Sequence, residues 1–442
     1  MSEIGAVLGV PVWNDARITG WSIDSRTIAP GDLFFALRGP NHDGNTYVEE
    51  VLRKGAIAAI ANEPKSGPVL VVPETLAALQ CVASWARDQW GGEVVGVTGS
   101  AGKTSTKDVI AAMLASAIAT GKTIGNLNNH VGVPLSILRL AREARVAVLE
   151  MGMNHGGEIR ALCAIARPRI GVVTNVGRAH VENFDSIAGV AAAKRELIDS
   201  LPADGIAVLN ADDPLVIRFR ETYPGKTITF GFGPGADFRA ERVEIGSERL
   251  RFRCRGVDFE SSLLGRHNVS NILAGLAVAS IFGIEPARLT GVVKQLAASP
   301  MRGERILHDG ILILNDCYNS NPDAARVMID VLRETPAQRR IAVLGEMLEL
   351  GRWSESLHRD VGRYAAGSGI DVLVGIRGAA NFLVDAAREA GQAVDAAFFF
   401  PDASAAGDYL REIARPGDVI LMKGSRGTHV ERALEKLLAR PN

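Results

Sequence analysis

Apolar and polar positions divide the chain into three blocks, each a series of short apolar runs separated by helical stretches. In the first block, which ends near Trp90-Gly91-Gly92, extended runs at 32–37, 56–61 and 69–72 are broken by Pro and Gly. A helical pattern over 76–90 then meets the Gly-Gly pair, a stop signal. The second block opens on an apolar strand at 94–98, a Gly-rich turn and a helix over 105–118. Further apolar strands at 146–149, 170–174 and 206–209, with helices between them, predict a parallel sheet covered on both faces. The stretch 227–264 departs from this pattern. Its segment 250–255 alternates apolar and charged residues, as an antiparallel strand with one wet face does. An apolar helix over 269–284 closes the block. The third block starts near Pro300 and carries apolar strands at 311–314, 341–344, 371–374, 397–400 and 419–422 with helices between, the spacing of a second doubly wound domain. The predicted architecture is α/β with three domains: a small N-terminal domain (1–92), a central parallel sheet (93–300) and a C-terminal Rossmann-like domain (301–442).

Composition narrows the class. A prior of ~150 residues per domain makes about three domains of a 442-residue chain. With 49 Lys and Arg against 50 Asp and Glu, nothing draws the whole chain onto nucleic acid or an anionic membrane surface. The longest uncharged apolar stretches, 109–121 and 271–284, fall short of the ~18–20 residues of a membrane span. The first residues show no basic and apolar leader, so a cytoplasmic protein is expected. Cys81, Cys163, Cys254 and Cys317 are far apart and form no CxxC pair, which argues against a disulfide framework or a zinc site.

The strongest chemical signal is Thr98-Gly99-Ser100-Ala101-Gly102-Lys103-Thr104-Ser105, between a strand and a helix. Its glycines let backbone N–H groups close around phosphates, Lys103 reaches the outer phosphates, and Thr104 offers a hydroxyl to Mg²⁺. The general pattern has Gly where Val97 stands, so this is the shorter T-G-x-x-G-K-T form. Other polar groups fall at strand ends of the same sheet, where open α/β sheets bind ligands. Glu150 ends one strand; Asn175 and His180 follow the next. Singly, Glu150 reads as a helix cap and His180 as an ordinary loop histidine; together with the loop they read as a site. Lys194, on a later helix, reads by pattern as a solvated lysine. The polar loop 126–134, with Asn128 and Asn129, reads equally as a turn or a functional loop. In the third block, polar strand ends at 315–322, 345–347 and 423–427 suggest a second crevice facing the first. In the first block, Asp24-Ser25-Arg26 reads by pattern as a surface turn, although Arg26 is suited to grip a phosphate.

Together these segments carry a resemblance. The chain resembles the ATP-dependent Mur ligases of peptidoglycan precursor synthesis through DSR…GDLFFAL.G…DG, TGSAGKTS, GNLNN..GVP, EMGMN..GEI, NVGRAH, HN..N, ND.YN.NP, LGEM.ELG and KGSRG. The likeness covers all three domains. It is greatest to the branch that adds D-alanyl-D-alanine to UDP-N-acetylmuramoyl-tripeptide through an acyl phosphate. It implies an ATP site formed by Gly99, Ser100, Ala101, Gly102, Lys103, Thr104 and Ser105, with Asn268 and Asn271 near adenine and Arg302 and Asp316 from the third domain and its border. It implies two Mg²⁺ ions served by Thr104, Glu150, His180 and Lys194, with Lys194 carbamylated, which reverses the bland reading of that lysine. Lys103, Glu150, His180 and Lys194 are then the expected catalytic set. Substrate contacts are expected from Ser25, Arg26, Asp43 and Gly44 around the UDP group, and from Asn128, Asn129, Tyr318, Lys423 and Ser425. Two positions depart from the family pattern: His130, where many relatives have an acidic residue, and Arg195, where glycine is common. A monomer that hinges near 298–303 is expected. The alternatives are the sibling ligase that adds the third stem residue (diaminopimelate or lysine), folylpolyglutamate synthase, a kinase that stops at a phosphorylated product, and a non-catalytic nucleotide-binding protein.

Overall fold

The computed structural model describes residues 1–12, 15–246 and 248–439. In the first block four parallel strands lie in the order Gly20–Ser22, Asp32–Phe35, Ala58–Ala61, Val69–Val71. Helix Thr75–Trp90 buries Leu79, Val82 and Ala83 against Leu33, Phe35 and Ile60, and stops where Gly91 turns left-handed at φ 64°. Strand Gly20–Ser22 has no apolar run of its own; parallel pairing with Asp32–Phe34 recruits it.

The central sheet has seven strands, all pairs parallel, in the order Phe238–Arg239, Lys226–Gly231, Ile206–Asn210, Ile170–Val173, Glu93–Thr98, Val146–Glu150, Thr120–Lys122. Val95 and Val97 enter the core on one face and Val94 the core on the other, which is why this strand reads as a continuous apolar run. The strand order reverses about Glu93–Thr98, so its carboxyl end opens on a crevice between two later strands. One expectation needs correction. Lys226–Gly231 and Phe238–Arg239 extend the parallel sheet, because Ile228 and Phe230 are buried beside Ile206–Asn210. Antiparallel pairing starts only at Glu241–Ile245, which forms a separate sheet with Leu250–Cys254 and Val257–Ser261.

Helix Arg266–Ile281 is apolar around most of its girth and packs on the loop helix Lys103–Ala115. Gly275 sets that approach, since a Cβ there would stand 2.7 Å from Met113 Sδ and 2.8 Å from Val109 Cγ1.

The third sheet runs Glu304–His308, Ile311–Asp316, Asp418–Lys423, Arg339–Gly345, Val372–Ile376, Ala397–Phe400, antiparallel only at its first pair. Strand Glu304–His308 escaped the sequence reading because it is a half-exposed edge with Leu307 facing solvent. The signal for it was the Asp309-Gly310 pair, both at positive φ (47° and 77°), which closes a two-residue hairpin. The last strand in sequence inserts between the first two parallel strands, so Asp316, Lys423 and Leu344 end side by side.

Candidate active site

The loop after Glu93–Thr98 is laced to the loop after Ile170–Val173. Ala101 N–H donates to Asn175 Oδ1 (2.8 Å), and Asn175 Nδ2 and Thr174 Oγ1 donate to Ala101 O (3.0 and 2.7 Å). Ser100 Oγ bridges the Gly177 carbonyl and amide at 3.0 and 2.8 Å. This closeness excludes a side chain at Gly99, where a Cβ would fall 1.8 Å from Thr174 Oγ1. Gly102 takes φ 78° and starts helix Lys103–Ala115, so the helix amides face the crevice.

Above the helix start lies a cavity of about 690 Å³ that gathers most of the expected residues. The central domain contributes Ser100 to Ser105, Asn128, Asn129, Glu150, His180, Asn268 and Asn271, and Arg302, Asp316, Tyr318 and Lys423 close it from the third domain and its border. Thr104 Oγ1 donates to Glu150 Oε2 and Asn128 Nδ2 to Glu150 Oε1, both at 2.7 Å. Lys103 Nζ donates to Gly99 O at 2.8 Å; burial lowers its pKa, Glu150 opposes the shift, and Arg302 adds to it. Asn271 accepts from Thr106 Oγ1 (3.0 Å) and donates to Asn268 Oδ1 (2.9 Å), so the two asparagines tie the two helices at the cavity edge. Arg302 stacks over Tyr318 at 3.8 Å, and Lys423 Nζ pairs with Asp316 and donates to Asn319 O at 3.0 Å.

Several expected residues lie elsewhere. Gly99 belongs to the loop but does not line the cavity. Lys194 does not line the cavity but is buried to 1% exposure on helix Ile187–Asp199, its ammonium nitrogen with no hydrogen bond or ion pair among the described residues. Burial depresses its pKa strongly and the nearby Lys103 charge adds to the shift. Ser425 is buried, its hydroxyl accepting from Leu348 N–H (2.9 Å) and donating to Ser320 O (3.3 Å), so it braces two loops of the third domain. Ser25, Arg26, Asp43 and Gly44 lie in the first domain, outside this cavity. There Asp24 holds the exposed Arg26 through two bonds of 2.9 and 2.6 Å, and Asp43 accepts Asn45 N–H at 2.9 Å. No cluster of three or more His, Cys, Asp or Glu side chains is gathered as a metal site among the described residues.

Three cavity neighbours carried no role in the sequence reading. Glu349 of the third domain places Oε2 2.6 Å from His180 Nδ1, and this contact holds its carboxyl below the usual range against burial. Asp323 Oδ2 accepts Arg178 N–H at 2.8 Å across the same domain boundary. His267 lies between the central and third domains. Burial lowers its pKa to about 4, and its Nδ1 has no hydrogen-bond partner. The signals were present, since His267 and Glu349 fall in HN..N and LGEM.ELG and Asp323 follows ND.YN.NP, but neither spacing nor resemblance gave them chemistry.

His267 makes a pH prediction. It is neutral in the fold and titrates at its ordinary 6.5 once unfolded, so acid protonates the unfolded chain first. Stability from this residue is whole above pH 6.5 and drains away as pH falls towards about 4. Urea midpoints measured between pH 7 and 4.5 should fall less steeply for His267→Gln than for the native chain.

A phosphate loop at the switch point of a parallel sheet, roofed by a second α/β domain, defines a three-domain P-loop protein of the nucleotide-binding kind. Comparison with known proteins makes this specific. The Mur ligase family catalytic domain matches residues 17–95, the Mur ligase middle domain 97–279, and the Mur ligase glutamate ligase domain 301–426. The UDP-N-acetylmuramoyl-tripeptide--D-alanyl-D-alanine ligase of Bacillus subtilis (strain 168) is 34% identical over 447 residues, covering 99% of this chain and 97% of its own. MurF from Acinetobacter baumannii superposes with a TM-score of 0.90 at 28% identity, over 99% of this chain and 98% of that one. A MurF ligase from Thermotoga maritima, solved in complex with ADP, gives 0.84 at 30% identity over 96% and 97%. The chain belongs to the Mur ligase family. No described helix is long and apolar enough to cross a membrane.

Proposed function

We propose that this Mur ligase joins D-alanyl-D-alanine to UDP-N-acetylmuramoyl-tripeptide, converting ATP to ADP and phosphate. The observation that carries the reading is the cavity itself: a phosphate loop with Lys103 on one wall, and Arg302, Asp316 and Lys423 on the other. In the reaction, an oxygen of the tripeptide's terminal carboxylate attacks the γ-phosphorus and the bond to ADP breaks, leaving an acyl phosphate. The dipeptide amine then attacks the acyl carbon, loses a proton, and phosphate departs with the C–O bonding pair.

Phosphoryl transfer depends on position and charge, and the chain supplies both. The amides at the start of helix Lys103–Ala115 face the phosphates, and Lys103 adds a cation in a site where burial strengthens its field. Thr104 and Glu150 are hard oxygen donors in contact with each other, a pair that suits Mg²⁺ completed by phosphate oxygens and water. Bound there, Mg²⁺ supplies charge neutralisation. Lys194 suits carbamylation, because its lowered pKa favours the neutral amine that adds to carbon dioxide. In the first domain, Ser25, Arg26, Asp43 and Gly44 would hold the UDP group.

The acyl phosphate must be kept from water, which calls for domain closure. The linker contacts support a pivot near 299–304. Ser299 Oγ donates to Asp108 Oδ2 of the central domain (2.9 Å), whereas Met301 N–H donates to Glu304 of the third (3.1 Å). Between them Arg302 N–H donates to Ser299 O at 3.0 Å, a turn across Pro300 and Met301 that would have to open for the domains to part. Pro300→Gly should raise the radius of gyration of the ligand-free protein and leave the nucleotide-and-substrate profile unchanged. Identical scattering for both proteins in both states would contradict a pivot here.

The direct test couples ADP and phosphate release with product mass, using Mg-ATP and the tripeptide nucleotide with and without D-Ala-D-Ala. Turnover that requires the dipeptide and yields the pentapeptide nucleotide supports the reading. Turnover only with diaminopimelate or lysine on the dipeptide precursor moves it to the sibling reaction.

A further inference from the structure

The loop 175–182 of the central domain is gripped by the third domain at two points. Asp323 Oδ2 accepts Arg178 N–H at 2.8 Å. Two residues further on, Glu349 Oε2 stands 2.6 Å from His180 Nδ1, a close carboxylate–imidazole contact that lies out of line for a hydrogen bond, and Glu182 N–H donates to the Glu349 carbonyl at 3.3 Å. Both partners in the carboxylate–imidazole contact are bent into the left-handed region, His180 at φ 58° and Glu349 at φ 62°. Neither is glycine, and a residue with a side chain adopts such a conformation only under strain. Two strained residues meeting across a domain boundary are held there by their surroundings. The imidazole also lines the phosphate cavity, and its other nitrogen has no protein partner among the described residues.

We propose that Glu349 is a positioning residue: from the third domain it fixes the His180 ring through Nδ1, so that Nε2 is presented as a metal ligand only when the domains are closed. A carboxylate behind a ligating histidine fixes its tautomer and raises its basicity. Here that carboxylate belongs to the third domain, which the proposed closure would carry towards the loop. Closure therefore completes the ligand set as it excludes water, and the open protein lacks an oriented histidine. The proposal rests on the reading of His180 as a metal ligand.

Free Mn²⁺ measured by electron paramagnetic resonance during titration of the ADP-bound protein tests it. The native chain should take up two Mn²⁺, the tighter at Thr104 and Glu150. Glu349→Gln keeps the volume and the backbone bond to Glu182, so it should retain the tighter site and weaken the other by about 10-fold or more. Glu349→Gly relieves the left-handed strain and should melt no lower than the native chain while showing the same loss, an outcome that structural damage does not produce. Asp323→Asn loosens the same loop without touching the imidazole and should leave both Mn²⁺ affinities unchanged. Equal uptake by native and Glu349→Gln chains overturns the proposal, as does an equal loss in Asp323→Asn. Uptake of a single Mn²⁺ by the native chain overturns both the proposal and the metal-ligand reading of His180, while dipeptide-dependent turnover tests the ligase reading separately.

Discussion

Lys103→Ala should lower kcat by about 10³-fold or more while leaving the melting temperature unchanged or raised. The two halves of this expectation share one cause. Lys103 holds an ammonium in a buried site whose desolvation lowers its pKa, and Glu150 only partly compensates. Its side-chain hydrogen bond to the Gly99 carbonyl closes the loop on itself and is replaceable by water in the open cavity. Removing the charge therefore relieves the resting fold and removes a cation from the place where charge builds in the transition state. Lys103→Arg should not restore the rate, because a planar guanidinium cannot occupy the position of a compact ammonium beside Gly99. Steady-state ADP release with saturating substrates measures the effect; a loss below 10-fold would remove Lys103 from the phosphoryl-transfer step.

The same balance of forces explains what the sequence reveals and what it conceals. Strand Glu93–Thr98 is legible because burial on both faces demands an unbroken apolar run, and the loop after it because a closed phosphate cradle demands Gly99 and Gly102. The carboxyl-end residues Glu150 and Asn175 are legible because the parallel-sheet rule places them beside that loop. Boundaries drift by two or three residues, as with helix Arg266–Ile281 against the expected 269–284, since caps and first turns carry polar residues that periodicity ignores. Short edge strands such as Gly20–Ser22 and Thr120–Lys122 carry almost no local signal, because pairing creates them.

The residues that sequence reasoning passed over share a different feature. Glu349, Asp323 and His267 matter through contacts between domains, and no local pattern encodes which loop of one domain will meet which loop of another. Asp323 illustrates this: it reads as an acidic residue in the first turn of helix Pro322–Glu334, which favours the helix dipole, yet its Oδ2 serves Arg178 of the central domain. The space for it is made by Gly177, where a Cβ would lie 2.5 Å from that oxygen. Ser425 errs the other way. Its loop looks shaped for an anion, but the hydroxyl is occupied by Leu348 and Ser320, so the loop is braced before any ligand arrives.

Lys194→Ala should lower kcat by about 10²-fold, and short carboxylic acids such as acetate should restore part of the loss. The run Ala191-Ala192-Ala193-Lys194-Arg195-Glu196 reads as an exposed helix face, but the helix turns Lys194 inward with Val190, Ala191 and Leu197, and Arg195 takes the solvent side with Asp199. A buried ammonium with no counter-ion among the described residues, next to a second lysine, is a costly state, and burial followed by the Lys103 charge shifts Lys194 strongly towards the neutral amine. A neutral amine is the form that adds to carbon dioxide: the N–C bond forms, a proton leaves, and the side chain changes from a potential cation to a fixed anion. That sign change would convert the neighbouring Lys103 charge from a repulsive partner into an attractive one, so the modification would be stabilised by the same residue that disfavours the ammonium. Protein incubated with ¹³C-bicarbonate should show one carbamate resonance that Lys194→Ala lacks, and activity should fall on removal of carbon dioxide. Full activity of Lys194→Ala, with no response to acetate, would leave the buried lysine a structural residue only.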